Sequence, residues 1–538
     1  MPTRRDFLMQ GAATTAALAL PKRLYAATSG FQTLDARTAS VQLAPEGYPE
    51  TDIWGYGGTM PGPQLRLQQG ARLQRRFMNE LPQASSVHWH GVRLANAMDG
   101  VAGLTQPAVE PGQSFDYDFT APDAGTYWYH AHNRSTEQVA RGLYGALIVE
   151  ESEPPDLDRE EVLILDDWLL DPETAQIDPD FTSRHDRSHA GRRGNFIATN
   201  GRHDLSLEVR QHERLRLRLI NAANARIFVL SLQGMEGWTV ALDGMPLPRP
   251  EPLAEALVLG PGQRADLIVD VTAAPDETAH LVRLEDQEAA SQVAFPVTGL
   301  ASAARRDAPD ALPPNPGMEV TGLDDARAVR LDMQGGAMGR LESAILNGEK
   351  KSFRELVDAN QFWSFNGTIG MTDAPLVDVE KGETVKLQIY NDTSFPHAMH
   401  LHGLHFREIG EDGRLGPLRD TILMFGGQTR TIGFVADNPG KFSLRVCQRE
   451  EPPGHISIAA GQGKGVDHGR VEHGDLKLLV GLVGSARDFL HNGLDIIVDP
   501  FIAKGTTIGL HNFGVLFGPD SGFVGLAEQR RIGPTSCQ

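Results

Sequence analysis

The 538-residue sequence predicts an all-β protein built from three copies of one β-sandwich unit. Two markers recur in the same order in each copy: a strand-like segment that ends at an asparagine, and a later glycine-containing turn. The first marker runs from Leu65 to Asn79, from Leu207 to Asn221 and from Val377 to Asn391, and the second is Pro111-Gly112-Gln113, Pro261-Gly262-Gln263 and Gly426-Gly427-Gln428. Self-similarity at a period of about 150 residues indicates that a single structural unit was copied.

The segments between these markers have the pattern of half-buried strands. In Arg214-Leu215-Arg216-Leu217-Arg218-Leu219 and in Val385-Lys386-Leu387-Gln388-Ile389, apolar and polar residues alternate. Because successive side chains of a strand point to opposite faces, such alternation predicts strands with one buried face. Short strands separated by Gly/Pro turns predict a sandwich or a barrel for each unit.

Breaks in the pattern predict the domain boundaries. Pro154-Pro155 interrupts the strands near Ser152 to Asp158, and the stretch from Ala301 to Pro316 is rich in Ala and Pro, as linkers are. We therefore predict domains over residues 28–152, 158–300 and 317–454. The remaining residues, 455–538, are Gly-rich and contain no Trp or Tyr, and they form a tail that the pattern does not place.

The N-terminus has the features of an export signal. Arg4-Arg5 precedes an apolar, Ala-rich stretch from Met9 to Leu20, and Tyr25-Ala26-Ala27 offers small residues for cleavage. Residues 1–27 therefore resemble a twin-arginine signal peptide, which implies the twin-arginine export machinery as a partner and a periplasmic or secreted product. No later stretch reaches the roughly 18 apolar residues that a membrane helix needs.

Charge and cysteine content limit the function classes. The formal net charge of −20 argues against nucleic-acid binding, which depends on an excess of Lys and Arg. With only Cys447 and Cys537 present, the sequence has no disulfide framework. The two thiols are left as a potential bridge or as potential metal ligands.

Three His-x-His runs carry the strongest functional signal. In a strand, His-x-His directs two imidazoles to the same face about 7 Å apart, which suits a multinuclear metal site. The runs lie in the first and third units and are absent at the matching places of the second, which predicts a site shared by domains one and three, with domain two as a spacer. The candidate ligands are His88, His90, His130, His132, His397, His400 and His402.

With these motifs the chain resembles the three-domain multicopper oxidases, the family of laccases and bacterial copper oxidases, over roughly residues 40 to 445. The resemblance implies cupredoxin-like Greek-key domains and four copper ions. It also implies oxidation of phenols or cuprous ions coupled to reduction of dioxygen to water.

Residue by residue, His88 and His400 match the type 2 ligands, and His90, His130, His132 and His402 match type 3 ligands. His397 matches a type 1 ligand on the opposite strand face. Asp99, before Gly100, matches an acidic residue that assists proton delivery in the family, although an Asp before Gly is also a common turn residue.

The fourth motif of the family, His-Cys-His, is missing. Asp123-Ala124-Gly125 precedes His130 by the same interval at which Asn438-Pro439-Gly440 precedes Arg445, so Arg445-Val446-Cys447 takes the register of His130-Ala131-His132. Arg cannot ligate a metal, and Val446 stands where the type 1 thiolate belongs. Cys447, one residue out of register, is predicted to face the cluster.

The missing motif puts the type 1 site and part of the type 3 site in doubt. It predicts that the oxidase turns over much more slowly than an enzyme with the complete motif. A change of reading frame near residue 445 and genuine divergence both account for it, and resequencing the gene across this codon distinguishes them. A copper-free periplasmic scaffold or binding relative of the family is the alternative function. Such relatives usually lose histidines throughout, whereas three of the four motifs are intact here. Copper nitrite reductase is disfavoured by the threefold repeat.

Overall fold

The computed structural model of the protein describes residues 30–285, 288–372, 374–447, 456–461, 513–515 and 526–528. It confirms the all-β prediction, with strands arranged in pairs of sheets. The described α-helices are short: Ser135–Ala140, Arg184–Ser188 and Phe353–Asp358. None of the helices described is long and apolar enough to cross a membrane. The predicted signal peptide, Cys537 and most of the predicted tail lie outside the described residues.

The first sandwich packs two four-stranded sheets. Its strands are β1 (Gln32–Val41), β2 (Thr51–Tyr56), β3 (Leu65–Gln68), β4 (Arg72–Asn79), β5 (Val87–His90), β6 (Ser114–Thr120), β7 (Gly125–Ala131) and β8 (Tyr144–Glu150). The sheet orders are β2-β1-β4-β6 and β3-β8-β7-β5. The parallel pairs β1/β4 and β3/β8 join antiparallel neighbours. A core around Phe77, Trp89 and Tyr117 fills the space between the sheets.

The second sandwich packs a six-stranded sheet on a five-stranded one. Its strands are β9 (Arg159–Trp168), β10 (Phe196–Thr199), β11 (Val209–Gln211), β12 (Arg214–Asn221), β13 (Phe228–Gln233), β14 (Met235–Leu242), β15 (Met245–Pro252), β16 (Leu257–Leu259), β17 (Arg264–Val271), β18 (Thr278–Glu285) and β19 (Glu288–Leu300). The orders are β10-β9-β12-β17-β14-β15 and β11-β19-β18-β13-β16. Leu217, Leu267 and Phe228 are among its buried core residues.

The third sandwich follows after the segment that was predicted as a linker. Its strands are β20 (Arg327–Gly335), β21 (Ser343–Leu346), β22 (Glu349–Ser352), β23 (Trp363–Phe365), β24 (Thr368–Ile369), β25 (Val377–Glu380), β26 (Thr384–Asp392), β27 (His397–Leu401), β28 (Phe406–Ile409), β29 (Leu415–Arg419), β30 (Thr421–Met424), β31 (Thr429–Val435), β32 (Gly440–Val446) and β33 (Ile456–Gly461). The orders are β22-β21-β24-β23-β20-β26-β31-β28-β29 and β25-β33-β32-β27-β30. Strand β33 therefore pairs with this sandwich although the sequence pattern leaves it in the tail. Two short strands, β34 (Phe513–Val515) and β35 (Leu526–Glu528), pair with each other.

The recurring asparagine and the glycine turn contact each other in all three sandwiches. In each, the asparagine N–H donates to the glutamine carbonyl of the turn, and its carbonyl accepts from the glycine N–H before that glutamine. The amide side chain of Asn79, Asn221 and Asn391 is buried and donates to nearby carbonyls. The repeat in the sequence thus marks a buried polar connection that each copy of the sandwich needs, since buried backbone groups require partners.

Candidate metal centre

The histidine runs lie on strands that face each other across the contact between the first and third sandwiches. In the first sandwich β5 pairs with β7 so that His88 is opposite His130. In the third, β27 pairs with β32 so that His400 is opposite Arg445. Because side chains alternate along a strand, each run directs two imidazoles to one side.

Six of the seven predicted histidines converge in one cavity. Each is almost completely buried. Rings from the two domains contact directly: the centroids of His88 and His402 are 4.0 Å apart, and those of His90 and His400 are 3.7 Å apart. The histidines that line the cavity are His88, His90, His130, His132, His400 and His402.

Hydrogen bonds hold three of these imidazoles in one orientation. His88 Nδ1 donates to the Asp99 carbonyl oxygen (2.8 Å), His400 Nδ1 to the Asp420 carbonyl oxygen (3.0 Å), and His402 Nδ1 to the Asp99 carboxylate (3.0 Å). Donation from Nδ1 leaves a lone pair on Nε2, and in all three rings Nε2 is buried and has no hydrogen-bond partner among the described residues. Buried polar atoms are rarely left unsatisfied, whereas metal-ligating histidines have this arrangement.

Ligand spacing also fits metal ions. The candidate ligand atoms of His88, His90 and His400 lie within 4.8 Å of one another, and so do those of His88, Asp99 and His402. His90 Nδ1 and His130 Nε2 are 3.4 Å apart. That separation suits two nitrogens around one tetrahedral ion with metal–nitrogen distances of about 2.0–2.1 Å. The residues present therefore fit copper at the His88/His400 end of the cavity.

Asp99, the acidic residue that the resemblance identified, contacts two histidines of the cavity. Its carboxylate accepts from His402 and also lies 3.3 Å from His88 Nδ1. Burial by itself raises the pKa of the Asp99 carboxyl. The charge and hydrogen bonds of His402 and His88 lower this pKa by more than burial raises it, so the pKa of Asp99 lies below its usual value. An ionised carboxylate is thereby kept beside the cavity.

The sequence analysis missed a second carboxylate and the arginine that neutralises it. Asp420 Oδ1 lies 3.3 Å from His400 Nδ1 and 3.5 Å from His90 Nε2. Arg264 Nη1 and Nη2 donate to its two carboxylate oxygens at 2.9 and 2.6 Å. All four groups are buried. Arg264 belongs to the second sandwich, so the prediction that this domain is only a spacer is wrong.

The reason for this error is that nothing in the spacing identifies Arg264 or Asp420. Arg264 follows the Pro261-Gly262-Gln263 turn and begins β17. A charged residue at that position is typical of the exposed end of a strand. The three-domain contact turns this strand end inward: Arg264 Nε donates to Thr126 O of the first sandwich (3.3 Å) while its Nη atoms bind Asp420 of the third. The signal that could have identified Arg264 was its position as a charged strand residue directly after a recurring turn marker.

His397 lies on the other face of β27, as predicted from its odd spacing. It is buried, its ring contacts Trp363 at a centroid distance of 5.1 Å, and its Nε2 lies 3.0 Å from Thr393 Oγ1. Val446 lines the same small cavity. Val446, at the position where the resemblance implies the type 1 thiolate, therefore lies beside His397 with an apolar side chain.

Arg445 and Cys447 face the histidine cavity. The Arg445 guanidinium Nη1 contacts the His132 ring. The Cys447 side chain lines the histidine cavity and also borders the His397 cavity, so it lies between the two. Burial raises the pKa of the Cys447 thiol to about 12, against the lowering effect of the Arg445 charge. The structure therefore puts a guanidinium and a thiol in the wall of the histidine cavity.

Comparison with known proteins identifies the family. Sequence profiles described as multicopper oxidase match residues 37–154, 159–296 and 348–450. Multicopper oxidase MmcO of Mycobacterium tuberculosis is 31% identical over 81% of this chain and 92% of its own length. Laccase-1 of Cryptococcus neoformans var. neoformans is 26% identical over 78% of this chain and 80% of its own. The crystal structure of Lac15 from a marine microbial metagenome covers 80% of this chain and 100% of its own, with a TM-score of 0.65 and 40% identity. The chain belongs to the multicopper oxidase family.

Proposed function

We propose that this chain is a copper-dependent oxidoreductase that reduces dioxygen with electrons from phenolic substrates or cuprous ions, and that its electron entry is impaired. The observation that carries the proposal is the set of six buried imidazoles from two domains, three of which present an unpartnered Nε2. Relatives named multicopper oxidase and laccase support the reaction class.

The chain's own residues would bind copper and handle protons. His88 and His400 would bind one ion, and His90, His130, His132 and His402 would supply ligands for a neighbouring pair. Copper would supply one-electron chemistry and a place where dioxygen is reduced. Asp99 fixes the His402 and His88 rings and offers an ionised carboxylate that can accept and release a proton next to the cavity.

Two side chains oppose this activity. Val446 stands where the family motif has the thiolate beside His397, so the copper–sulfur path that this thiolate supplies to the cavity is missing. Arg445 places a permanent positive charge against His132, and this charge repels a cation at that end. We therefore expect copper binding with a much lower oxidase rate than in relatives that have the complete motif.

The place of action is also a proposal. The twin-arginine pattern of residues 1–27 supports export of the folded protein to the periplasm or the medium. Fractionation of cells that express the full chain, compared with an Arg4→Lys/Arg5→Lys variant, tests this. Exported parent protein and retained variant are the expected result, and equal retention of both would contradict it.

The copper-free scaffold is the competing function. It gives no reason for three buried imidazoles to keep Nε2 unpartnered, since an unsatisfied buried polar group costs about 1–3 kcal/mol. The test is copper loading of the full chain at low oxygen, followed by metal quantification, electron paramagnetic resonance and oxygen uptake with a phenol or cuprous ions.

We expect a type 2 copper signal that is lost in His88→Gln/His400→Gln, no type 1 signal, and slow oxygen uptake. An exposed-histidine variant, His185→Gln, serves as the matched control. A parent protein that binds no more copper than the double variant would favour the scaffold.

A further inference from the structure

Cys447 takes the place in the third sandwich that His132 takes in the first. The Cys447 N–H donates to the Ala398 carbonyl at 2.8 Å, just as the His132 N–H donates to the Ser86 carbonyl at 3.0 Å. Ala398 and Ser86 each lie two residues before the first cluster histidine of their strand. Cys447 thus has the backbone position that the candidate ligand His132 has in the first sandwich, with a thiol in place of an imidazole.

The thiol lies near one of the cavity histidines, His90. A β-carbon built on Gly262 would lie 2.8 Å from Cys447 Sγ and 3.1 Å from His90 Cε1, so sulfur and ring lie side by side next to this glycine. His90 in turn is next to His130, with the 3.4 Å separation of His90 Nδ1 and His130 Nε2 that suits a shared ion. All three side chains line one cavity and are buried.

We propose that His90, His130 and Cys447 form a cuprous-ion site with one thiolate and two imidazole ligands. Soft thiolate sulfur favours Cu(I), and imidazole completes such a site. On binding, a copper–sulfur bond forms, the thiol releases one proton to solvent, and the copper stays Cu(I), so no oxidant is needed.

Arg445 acts against a cation at the neighbouring position. Its guanidinium contacts His132, and its positive charge disfavours a cation beside that ring. Replacement of two imidazoles by a guanidinium and a thiol therefore leaves a thiolate position and closes the position beside His132.

This inference rests on the copper-binding function proposed above, and its test separates the two. The full chain carrying Cys537→Ser, so that Cys447 is its single thiol, is loaded anaerobically with a cuprous–chelator complex of known affinity. Bound copper is quantified, the ultraviolet thiolate-to-copper charge-transfer band is recorded, and X-ray absorption reports sulfur scattering around copper. Cys447→Ser in the same background is the variant, and circular dichroism checks that it is folded.

We expect sulfur scattering and the charge-transfer band in the Cys537→Ser protein, and their loss in Cys447→Ser together with about one equivalent of copper. Copper bound with nitrogen and oxygen scattering alone, at equal stoichiometry in both proteins, would overturn the thiolate site and leave the proposed function standing. No bound copper in either protein would overturn both. The sulfur-scattering measurement on the Cys537→Ser protein decides the question even if Cys447→Ser does not fold.

Discussion

The buried ion pair between Arg264 and Asp420 offers the sharpest test of the structural argument. The Arg264 guanidinium makes two hydrogen bonds to Asp420 and others to the carbonyls of Thr126, Gly262 and Asp243. Both charged side chains are 0% exposed. Arg264→Met keeps most of the volume but leaves the Asp420 carboxylate buried without its counter-charge.

The expected loss in the free energy of unfolding follows from the burial of the ion pair. Removal of one partner of a buried pair typically costs about 3–5 kcal/mol, because the remaining charge is uncompensated. With about 2–4 °C of Tm per kcal/mol, this corresponds to a loss of roughly 6–20 °C in the thermal unfolding of the copper-free protein. Arg72→Met is the matched control, since Arg72 pairs with Asp118 on the surface with 64% of its side chain exposed. Exposed pairs contribute about 0.2–1 kcal/mol.

The pH dependence checks the mechanism. Burial raises the pKa of Asp420, but the Arg264 charge and the hydrogen bonds from His400 and His90 hold that pKa well below its usual value. A depressed carboxyl pKa contributes stability that is present above the unfolded pKa of about 3.9 and is lost as the pH falls through the folded pKa. In Arg264→Met the pKa of Asp420 rises, so the stability gap between parent and variant should narrow on acidification.

The second variant is Arg264→Met/Asp420→Asn, in which no charge is left unpaired. We expect it to regain much of the lost stability, because replacement of a whole buried pair is often close to neutral. Scanning calorimetry of the four proteins gives the comparison. If Arg264→Met loses no more stability than Arg72→Met, or if Asp420→Asn brings no recovery, the account of a compensated charge at the three-domain contact is refuted.

Three further outcomes are expected. Asp99→Asn should weaken copper binding by roughly 10–100-fold in a chelator competition, because Asp99 orients two of the ligand rings; unchanged affinity would contradict this. Gly91→Ala should destabilise the protein by about 3 kcal/mol more than Gly112→Ala in urea unfolding. Both glycines have positive φ, but only at Gly91 does a β-carbon collide with Arg264 and Asp420, so equal losses would contradict the packing. Arg445→His should raise bound copper by about one equivalent, and Arg445→Gln should not; an equal gain would show that charge removal alone suffices.

Local sequence was sufficient for the strand faces of the histidines. His88, His400 and His402 enter the cavity and His397 faces away from it, because alternation along a strand is a property of the backbone and needs no knowledge of neighbours. The interval after the repeated glycine predicted that Arg445 takes the position of His130, and in the structure Arg445 pairs with His400 as His130 pairs with His88. Cys447 faces the cavity for the same reason, although its border with the His397 cavity was not foreseen.

Contacts between domains were beyond such reasoning. Asp420 and Arg264 are 156 positions apart in the chain, and their meeting depends on how three sandwiches pack. In sequence each reads as an ordinary charged residue at the end of a strand. Burial then changes their role, because an ionised pair enclosed by protein must be matched in charge and hydrogen bonds.

Sequence patterns predicted the all-β class, the threefold repeat of one unit and the set of histidines that share a strand face. These features depend on local periodicity and on markers such as Asn79, Asn221 and Asn391, whose buried contacts recur in every copy. The packing of the three sandwiches, in contrast, brings Arg264 of the second domain to the centre, Arg445 against His132 and Cys447 beside His90. Side-chain direction follows from the neighbouring backbone, whereas the partners of a buried charge or thiol depend on packing between distant segments.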